Sequence, residues 1–142
     1  MNCFDFDKTI YKYDSAVRLY FFYLKKFPFR ILGIFRVFVL FFLKCLGFIS
    51  TKRFKEKFFY FIKKINNIDE FINEFWEIEN HNMVKSVVEQ IRSGDVVISA
   101  SPSFLVEPAI KMINDKVVVF ATNMNKSTSL IDGDNIKGKE KV

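Results

Sequence analysis

The chain has 142 residues, about the length of one domain, and 50% of them are hydrophobic, so it can bury a core and is not a disordered chain. Two cysteines without metal-ligand spacing argue against a disulfide framework, and a single histidine, His81, argues against a histidine triad or a zinc site. This cysteine usage favours a reducing compartment, so we expect a cytoplasmic protein. The formal net charge is +6 at pH 7.

The positive charge is concentrated in one part of the chain. Eleven lysines or arginines lie between Lys25 and Lys64, with Glu56 as the single acidic residue among them. Such a segment suggests an anionic partner, such as a phosphorylated substrate or a membrane surface, although a solvated basic face has the same composition. No nucleic-acid recognition module accompanies the charge, so nucleic acid is not expected as a partner. Peripheral membrane contact stays open.

The first seven residues predict a short buried strand that ends in the acidic motif Asp5-Phe6-Asp7-Lys8-Thr9. Because alternate side chains of an extended segment point to the same side, Asp5 and Asp7 can converge on one point. Two carboxylates there suit Mg²⁺, which prefers oxygen ligands. They also suit a nucleophile beside an acid–base group, since like charges in one site push their pKa values apart. A polar turn is the alternative for so short a motif.

Residues from about 15 to 92 are predicted to be helical. Asp14 and Ser15 can cap a first helix that Pro28 ends, and Asn67 with Glu70 resembles a capping box for a later one. Apolar residues at helical spacing predict three amphipathic segments after the first helix, and the second of them is the one that this capping box opens. These stripes are Phe54, Phe58, Phe61, Ile62 and Ile65, then Phe71, Ile72, Phe75 and Trp76, and finally Val84, Val87, Val88 and Ile91, which Gly94 is predicted to end.

The segment from Ile31 to Ile49 is nineteen residues long and carries only Arg36 and Lys44 as charges, so its length is close to that of a membrane span. Each charge near the middle of a span costs about 3 kcal/mol, which several Phe and Leu residues could offset. A single span would separate the acidic motif from everything downstream on opposite sides of the membrane. We therefore expect a helix or hairpin of a soluble insertion.

After Gly94 the pattern changes from helical to strand-like. We predict a strand over 95–99, a helix over 103–114 and a second strand over 116–121, which with short joints form a parallel βαβ unit. Turns or a small hairpin are expected over 123–139. The chain is therefore predicted to be an α/β protein, with a core formed by residues 1–14 and 94–142 and a helical insertion over 15–93.

Three motifs in this order resemble the haloacid dehalogenase superfamily of hydrolases, and more narrowly its subfamily IB, the phosphoserine-phosphatase-like branch. They are the stretches 4–9, 99–108 and 133–142, which carry the carboxylate pair, a serine at a strand end and a lysine in a Gly-x-x-Lys-Val setting. The resemblance implies a Rossmann-like core of three layers with a parallel sheet, and an α-helical cap inserted after the first motif. It also implies a Mg²⁺-dependent phosphatase acting on a small phosphorylated substrate.

The resemblance implies a role for each motif residue. Asp5 would be the nucleophile that forms an aspartyl-phosphate, Asp7 the acid–base group, and Asp5 with the backbone carbonyl of Asp7 would hold Mg²⁺. Thr9 would support the motif loop through hydrogen bonds. Ser99 and the amide of Ala100 would bind a phosphate oxygen, and Lys141 would neutralise the phosphate and the nucleophile; Lys139 is the competing candidate for that last role.

The family's fourth motif, an acidic pair that completes the magnesium site, should follow the lysine by a few dozen residues, and the chain ends at Val142. We therefore expect an incomplete or truncated member. The alternative function is a catalytically inactive remnant that acts as a binding or membrane-associated module.

Overall fold

The structure, a computed structural model, describes residues 1–132. Its sheet contains three parallel strands in the order β1-β2-β3, with β1 at Cys3–Asp5, β2 at Val96–Pro102 and β3 at Val118–Thr122. The central strand β2 places Ile98 opposite Asp5 on one side and opposite Phe120 on the other. Both the α/β class and the parallel sheet are thereby confirmed.

Helices follow β1 and β2 and make up most of the remaining chain. Between β1 and β2 lie α1, α2, α3, α4 and α5, and α6 connects β2 to β3. Their bounds are Ser15–Lys26, Gly33–Cys45, Thr51–Phe58, Ile68–Glu79, Lys85–Val88 and Ser103–Ile113, with short 3₁₀ turns at Pro28–Arg30, Phe59–Lys64 and Asn80–Asn82.

The predicted helix caps are present at α1 and α4. The carboxylate of Asp14 accepts a hydrogen bond from the amide of Val17 at 3.1 Å, and α1 ends just before Pro28. At α4 the side-chain oxygen of Asn67 accepts a hydrogen bond from the amide of Glu70 at 3.2 Å. Each bond satisfies an amide that the first turn of a helix leaves unpaired.

Two predicted helices are shorter than their stripes. The stripe that begins at Phe54 is α-helical only to Phe58, and the 3₁₀ turn Phe59–Lys64 carries the remainder into the core, because residues three apart share a face in both helix types. The last stripe forms only the four residues of α5, so Gly94 does not cap that helix. Instead, Gly94 adopts φ +86° in the turn before β2.

The helices between β1 and β2 share one core with the sheet. Trp76 of α4 is fully buried, and its ring lies edge-on to those of Phe6 and Tyr11, with centroids 5.7 and 5.2 Å away. Its indole Nε1 donates a hydrogen bond to the carbonyl of Leu105 in α6 at 2.8 Å. This side chain therefore joins α4 to both the acidic motif and the helix after β2.

The helix α2 contributes little to this core. Leu40 is its only buried residue, whereas Phe35, Phe38 and Phe42 are each more than 60% exposed.

The length of α2 is 13 residues. Within residues 1–132, no helix combines the length and the apolar character that crossing a bilayer would require.

Candidate active site

The two carboxylates of the acidic motif lie at the carboxyl end of β1. Asp5 is the last residue of that strand and is paired in register with Ile98, so Ser99 follows on the neighbouring strand at the same edge of the sheet. The Oδ1 atom of Asp5 accepts the amide hydrogen of Phe6 at 2.9 Å. Ligand sites in parallel α/β sheets form at this carboxyl edge.

A tight loop follows Asp7. Lys8 has φ 63°, in the left-handed region that is uncommon for residues other than glycine, and the carbonyl of Phe6 accepts hydrogen bonds from three following amides. These amides are those of Thr9, Ile10 and Tyr11, at 3.3, 3.0 and 3.0 Å. The backbone amide of Thr9 therefore supports the loop. That the Thr9 hydroxyl also supports the loop through hydrogen bonds stays a prediction.

Asp7 is held by donors from two other parts of the chain. Its Oδ1 atom accepts the amide hydrogen of Ser15 at 2.8 Å, and its Oδ2 atom accepts the hydroxyl of Ser101 at 2.7 Å. The hydroxyl of Ser99 lies 3.5 Å from Oδ2, which is long for a hydrogen bond between oxygens. Ser15 begins α1, so this carboxylate also faces the positive end of a helix dipole.

Ser101 is the site residue that the sequence analysis missed. Ser99 is fully buried, and its hydroxyl accepts the amide hydrogen of Ser101 at 3.1 Å, so Ser99 supports the strand end while Ser101 makes the shorter contact to Asp7. The Ser15 hydroxyl donates to that of Ser101 at 3.3 Å. Alternation along a strand places Ser101 on the same side as Ser99, but it does not indicate which of the two lies closer to Asp7.

Lys55 is a second residue that the sequence analysis did not single out. Its Nζ atom lies 2.5 Å from the carbonyl oxygen of Ala100, and the hydroxyl of Thr122 donates to the same oxygen at 2.9 Å. Lys55 belongs to α3, so this contact brings a positive charge from the helical segment to the end of β2. The basic composition of that segment was visible in the sequence, but not which lysine reaches the sheet.

A family model described as haloacid dehalogenase-like hydrolase matches residues 3–142. The chain belongs to this family. A comparison with curated proteins found no match.

Two solved structures share the fold of this haloacid dehalogenase-like hydrolase. A protein of unknown function from Bordetella pertussis Tohama I aligns with a TM-score of 0.77 and 16% identity over 95% of this chain and 67% of its own. A phosphoserine phosphohydrolase-like protein from Francisella tularensis subsp. tularensis SCHU S4 aligns with a TM-score of 0.53 and 20% identity over 93% of this chain and 65% of its own. The chain therefore spans about two thirds of the length of each.

The carboxylates of the hydrolase provide the oxygen ligands that Mg²⁺ prefers. Asp5 and Asp7 lie at one edge of the sheet, and magnesium is commonly bound by one or two carboxylates together with water and substrate phosphate. Within residues 1–132 there is no group of three or more His, Cys, Asp or Glu side chains placed to hold a metal. The Asp5 carboxylate and the backbone carbonyl of Asp7 are oxygen donors of the kind that Mg²⁺ takes together with a phosphate. The predicted Lys141, like its competitor Lys139, lies outside the described residues.

A buried polar network holds the end of the motif loop against α4. The carboxylate of Glu79 accepts hydrogen bonds from the Tyr11 hydroxyl at 2.5 Å, from Arg18 at 2.7 Å and from Asn82 at 2.9 Å. Burial alone would raise the pKa of Glu79, but these three donors outweigh it and lower the pKa below its ordinary value. Burial and the neighbouring carboxylate raise the pKa of Tyr11, which therefore stays a neutral donor.

Proposed function

We propose that this haloacid dehalogenase-like hydrolase is a cytoplasmic, Mg²⁺-dependent phosphomonoester hydrolase of the phosphoserine-phosphatase-like branch. The observation that carries the proposal is the contact of Asp7 with Ser101 and its approach to Ser99, at the edge of the sheet where the adjacent parallel strand ends in Asp5. Family membership over residues 3–142 supports the hydrolase chemistry. The fold similarity to the Francisella protein is consistent with the branch.

In the first half of the proposed reaction, a carboxylate oxygen of Asp5 attacks the phosphorus atom. The bond from phosphorus to the ester oxygen breaks as the new bond forms, which leaves an aspartyl-phosphate. Asp7 enters protonated and gives its proton to the departing alkoxide. The hydrogen bonds from Ser15 and Ser101 keep the Asp7 side chain in one orientation and stabilise the negative charge that it then carries.

In the second half, Asp7 removes a proton from a water molecule that attacks the aspartyl-phosphate. The bond between phosphorus and the Asp5 oxygen breaks, inorganic phosphate leaves, and both carboxyl groups return to their starting states. Ser99, the amide of Ala100 and Lys141 bind the phosphate oxygens, and the Ser101 hydroxyl, which donates to Asp7, holds the acid–base group beside them. Mg²⁺ held by Asp5 and Asp7 would offset the repulsion between the nucleophile and the phosphate.

The division of the chain follows from the same proposal. Residues 1–14 and 94–142 form the hydrolase core, and residues 15–93 form the cap that covers the reacting groups. The contact between Lys55 and the carbonyl of Ala100 supports this arrangement, because it joins the helical segment to the strand end that would receive the phosphate.

Turnover of para-nitrophenyl phosphate by the purified protein tests the proposal. Activity should require Mg²⁺, disappear with a chelator, and fall at least about a thousand-fold in Asp5→Asn, because the nucleophile is lost. Asp115→Asn is the matched control, since it makes the same chemical change at an exposed position between α6 and β3. Mg²⁺-dependent activity that survives Asp5→Asn would refute the assignment of the nucleophile.

A second candidate function is a binding module that associates with a membrane surface without catalysis. The exposed phenylalanines of α2 favour it, together with the eleven basic residues between Lys25 and Lys64. Vesicle flotation tests this candidate, since binding should require anionic lipid and weaken with salt. It would gain support if the protein floats with anionic vesicles yet turns over no phosphate ester at any Mg²⁺ concentration.

A further inference from the structure

A cleft of about 530 Å³ opens beside the candidate active site. At one end it is lined by Asp7, Ala100 and Ser101, and it continues between α1, α2 and α3. Its volume is within the range of about 300–1,000 Å³ that is typical of small-molecule sites. The same depression therefore contains a proposed acid–base group and extends well beyond the space that a phosphate needs.

The part of the cleft away from Asp7 is apolar. Six side chains of α1, α2 and α3 form this wall, and they are Val17, Val37, Phe38, Phe41, Phe54 and Phe58. Phe41 lies edge-on to Phe54 with ring centroids 6.4 Å apart, and Phe54 stacks on Phe58 at 6.0 Å. Phe38 and Phe41 are 64% and 55% exposed, so covering them with an apolar ligand would be favourable.

Two lysines bring positive charge to the same cleft. Lys55 lines it where α3 meets the end of β2, with Nζ bonded to the carbonyl of Ala100 at 2.5 Å. Lys44 lies farther along the apolar wall, with Nζ 5.0 Å from the centroid of the Phe54 ring. The cleft therefore combines a lysine beside Asp7 and Ala100 with hydrocarbon surface from the helices, as an amphiphilic phosphate ester requires, while Asp14 also lines it and Lys44 lies against the hydrocarbon wall.

We propose that the cleft binds the apolar alcohol part of the substrate, so that the substrate class is a phosphomonoester with an alkyl or similarly hydrophobic leaving group. This inference rests on the proposed function, because it takes the Asp7 end of the cleft as the phosphate site. The hydrocarbon lies against Phe38, Phe41 and Phe54, and the ester oxygen is directed towards Asp7. A polar alcohol such as serine would leave this wall uncovered.

Calorimetric binding of two non-hydrolysable probes tests the inference. Octylphosphonate, used below its micellar concentration, should bind at least about tenfold more tightly than methylphosphonate, because burying two methylenes already provides such a factor. Phe38→Asn and Phe41→Asn should each reduce this ratio several-fold while leaving the affinity for methylphosphonate unchanged. Phe42→Asn is the matched control, since Phe42 is 62% exposed on the same helix and does not line the cleft.

Hydrolysis provides a second readout and separates two sources of the ligand. Turnover of octyl phosphate in solution would indicate a soluble ester, and turnover of phosphatidic acid in vesicles would indicate a lipid. Either result supports the inference if Phe38→Asn slows this turnover and Phe42→Asn does not. Equal affinity for the two phosphonates would overturn it, and so would an equal loss in Phe38→Asn and Phe42→Asn. Retained turnover of para-nitrophenyl phosphate would then leave the proposed function intact. If the protein turned over none of these esters, the proposed phosphatase function would be refuted, and so would the proposed substrate class.

Discussion

The hydroxyl of Ser101 lies 2.7 Å from the Oδ2 atom of Asp7, although 94 residues separate the two in the chain. The contact exists because β1 and β2 are adjacent and parallel, so the residues after β1 lie beside the last residues of β2 at one edge of the sheet. It gives Asp7, the proposed acid–base group, a partner on the strand that is proposed to receive the phosphate.

Removing the Ser101 hydroxyl should slow catalysis more than it weakens the fold. A hydrogen bond to a charged group contributes about 1.5–3 kcal/mol, so Ser101→Ala should lower kcat by roughly tenfold or more. Because Ser101 acts partly by positioning Asp7, Ser101→Thr should restore part of the rate. Steady-state kinetics with separate kcat and KM values provide the measurement. Ser86→Ala, at an exposed position in α5, should match the unmodified protein, and an unchanged kcat in Ser101→Ala would exclude this role.

Acid should destabilise the protein partly through Glu79. The folded state lowers the pKa of Glu79 below the ordinary value of 4.5, so the unfolded state binds its proton more tightly. The resulting stabilisation is fully present above pH 4.5 and is lost as the pH falls through the folded-state pKa. Glu79→Gln should therefore show a flatter decline of unfolding free energy between about pH 5 and 3, measured by urea titration. Glu77→Gln, exposed on the same helix, should keep the original slope. Parallel curves for all three proteins would contradict the prediction.

Trp76 should be one of the side chains that the fold tolerates least when changed. Trp76→Phe removes the indole donor from the carbonyl of Leu105 and opens space beside Phe6 and Tyr11. The combined loss of a buried hydrogen bond and of packing should cost about 2–4 kcal/mol. Because this is the single tryptophan, unfolding is followed by circular dichroism. The same measurement on Phe21→Ala, which truncates a 54% exposed ring, should give a change within about 0.5 kcal/mol. If Trp76→Phe also changed the free energy of unfolding by no more than about 0.5 kcal/mol, α4 would not depend on this contact.

Local signals predicted the frame of the fold. Asp14 and Pro28 bracket α1 because a cap and a helix breaker act through the backbone next to them, and the parallel sheet followed from a strand, a helix and a strand with short joints. The end of α3 at Phe58 was not predictable, because apolar residues three or four apart suit α and 3₁₀ helices alike. Lys55 was not identified because a contact across 45 residues leaves no local pattern.

The candidate site was predictable to a similar extent. Asp5, Asp7 and Ser99 follow from alternation along strands and from the order of the motifs. Which serine approaches Asp7 depends on how β2 ends, and its register with β3 shifts between Ile98 and Pro102. Strand periodicity contains no information about such a shift, so the closer contact made by Ser101 required the structure.

Replacing Gly94 with alanine should destabilise the protein, although there is space for the added methyl group. Its φ of +86° lies in the left-handed region, and no atom would lie within 4 Å of an added Cβ. The cost of Gly94→Ala is therefore conformational, about 1 kcal/mol. Gly33→Ala is the matched control, because its Cβ would make ordinary contact with the Tyr20 hydroxyl at 3.4 Å at the start of α2. Thermal unfolding should give a lower Tm for Gly94→Ala and an equal or higher Tm for Gly33→Ala; the reverse order would contradict the conformational explanation.

Ser15 begins α1 and binds two members of the site, Asp7 through its amide and Ser101 through its hydroxyl. The first turn of that helix therefore holds the Asp7 and Ser101 side chains in place. A displacement of the helical segment that began at α1 would break the bonds of Ser15 to Asp7 and to Ser101. A movement of the helical segment that leaves these bonds intact would have to begin after the first turn of α1, and a disturbance of that turn is expected to lower the proposed phosphatase activity.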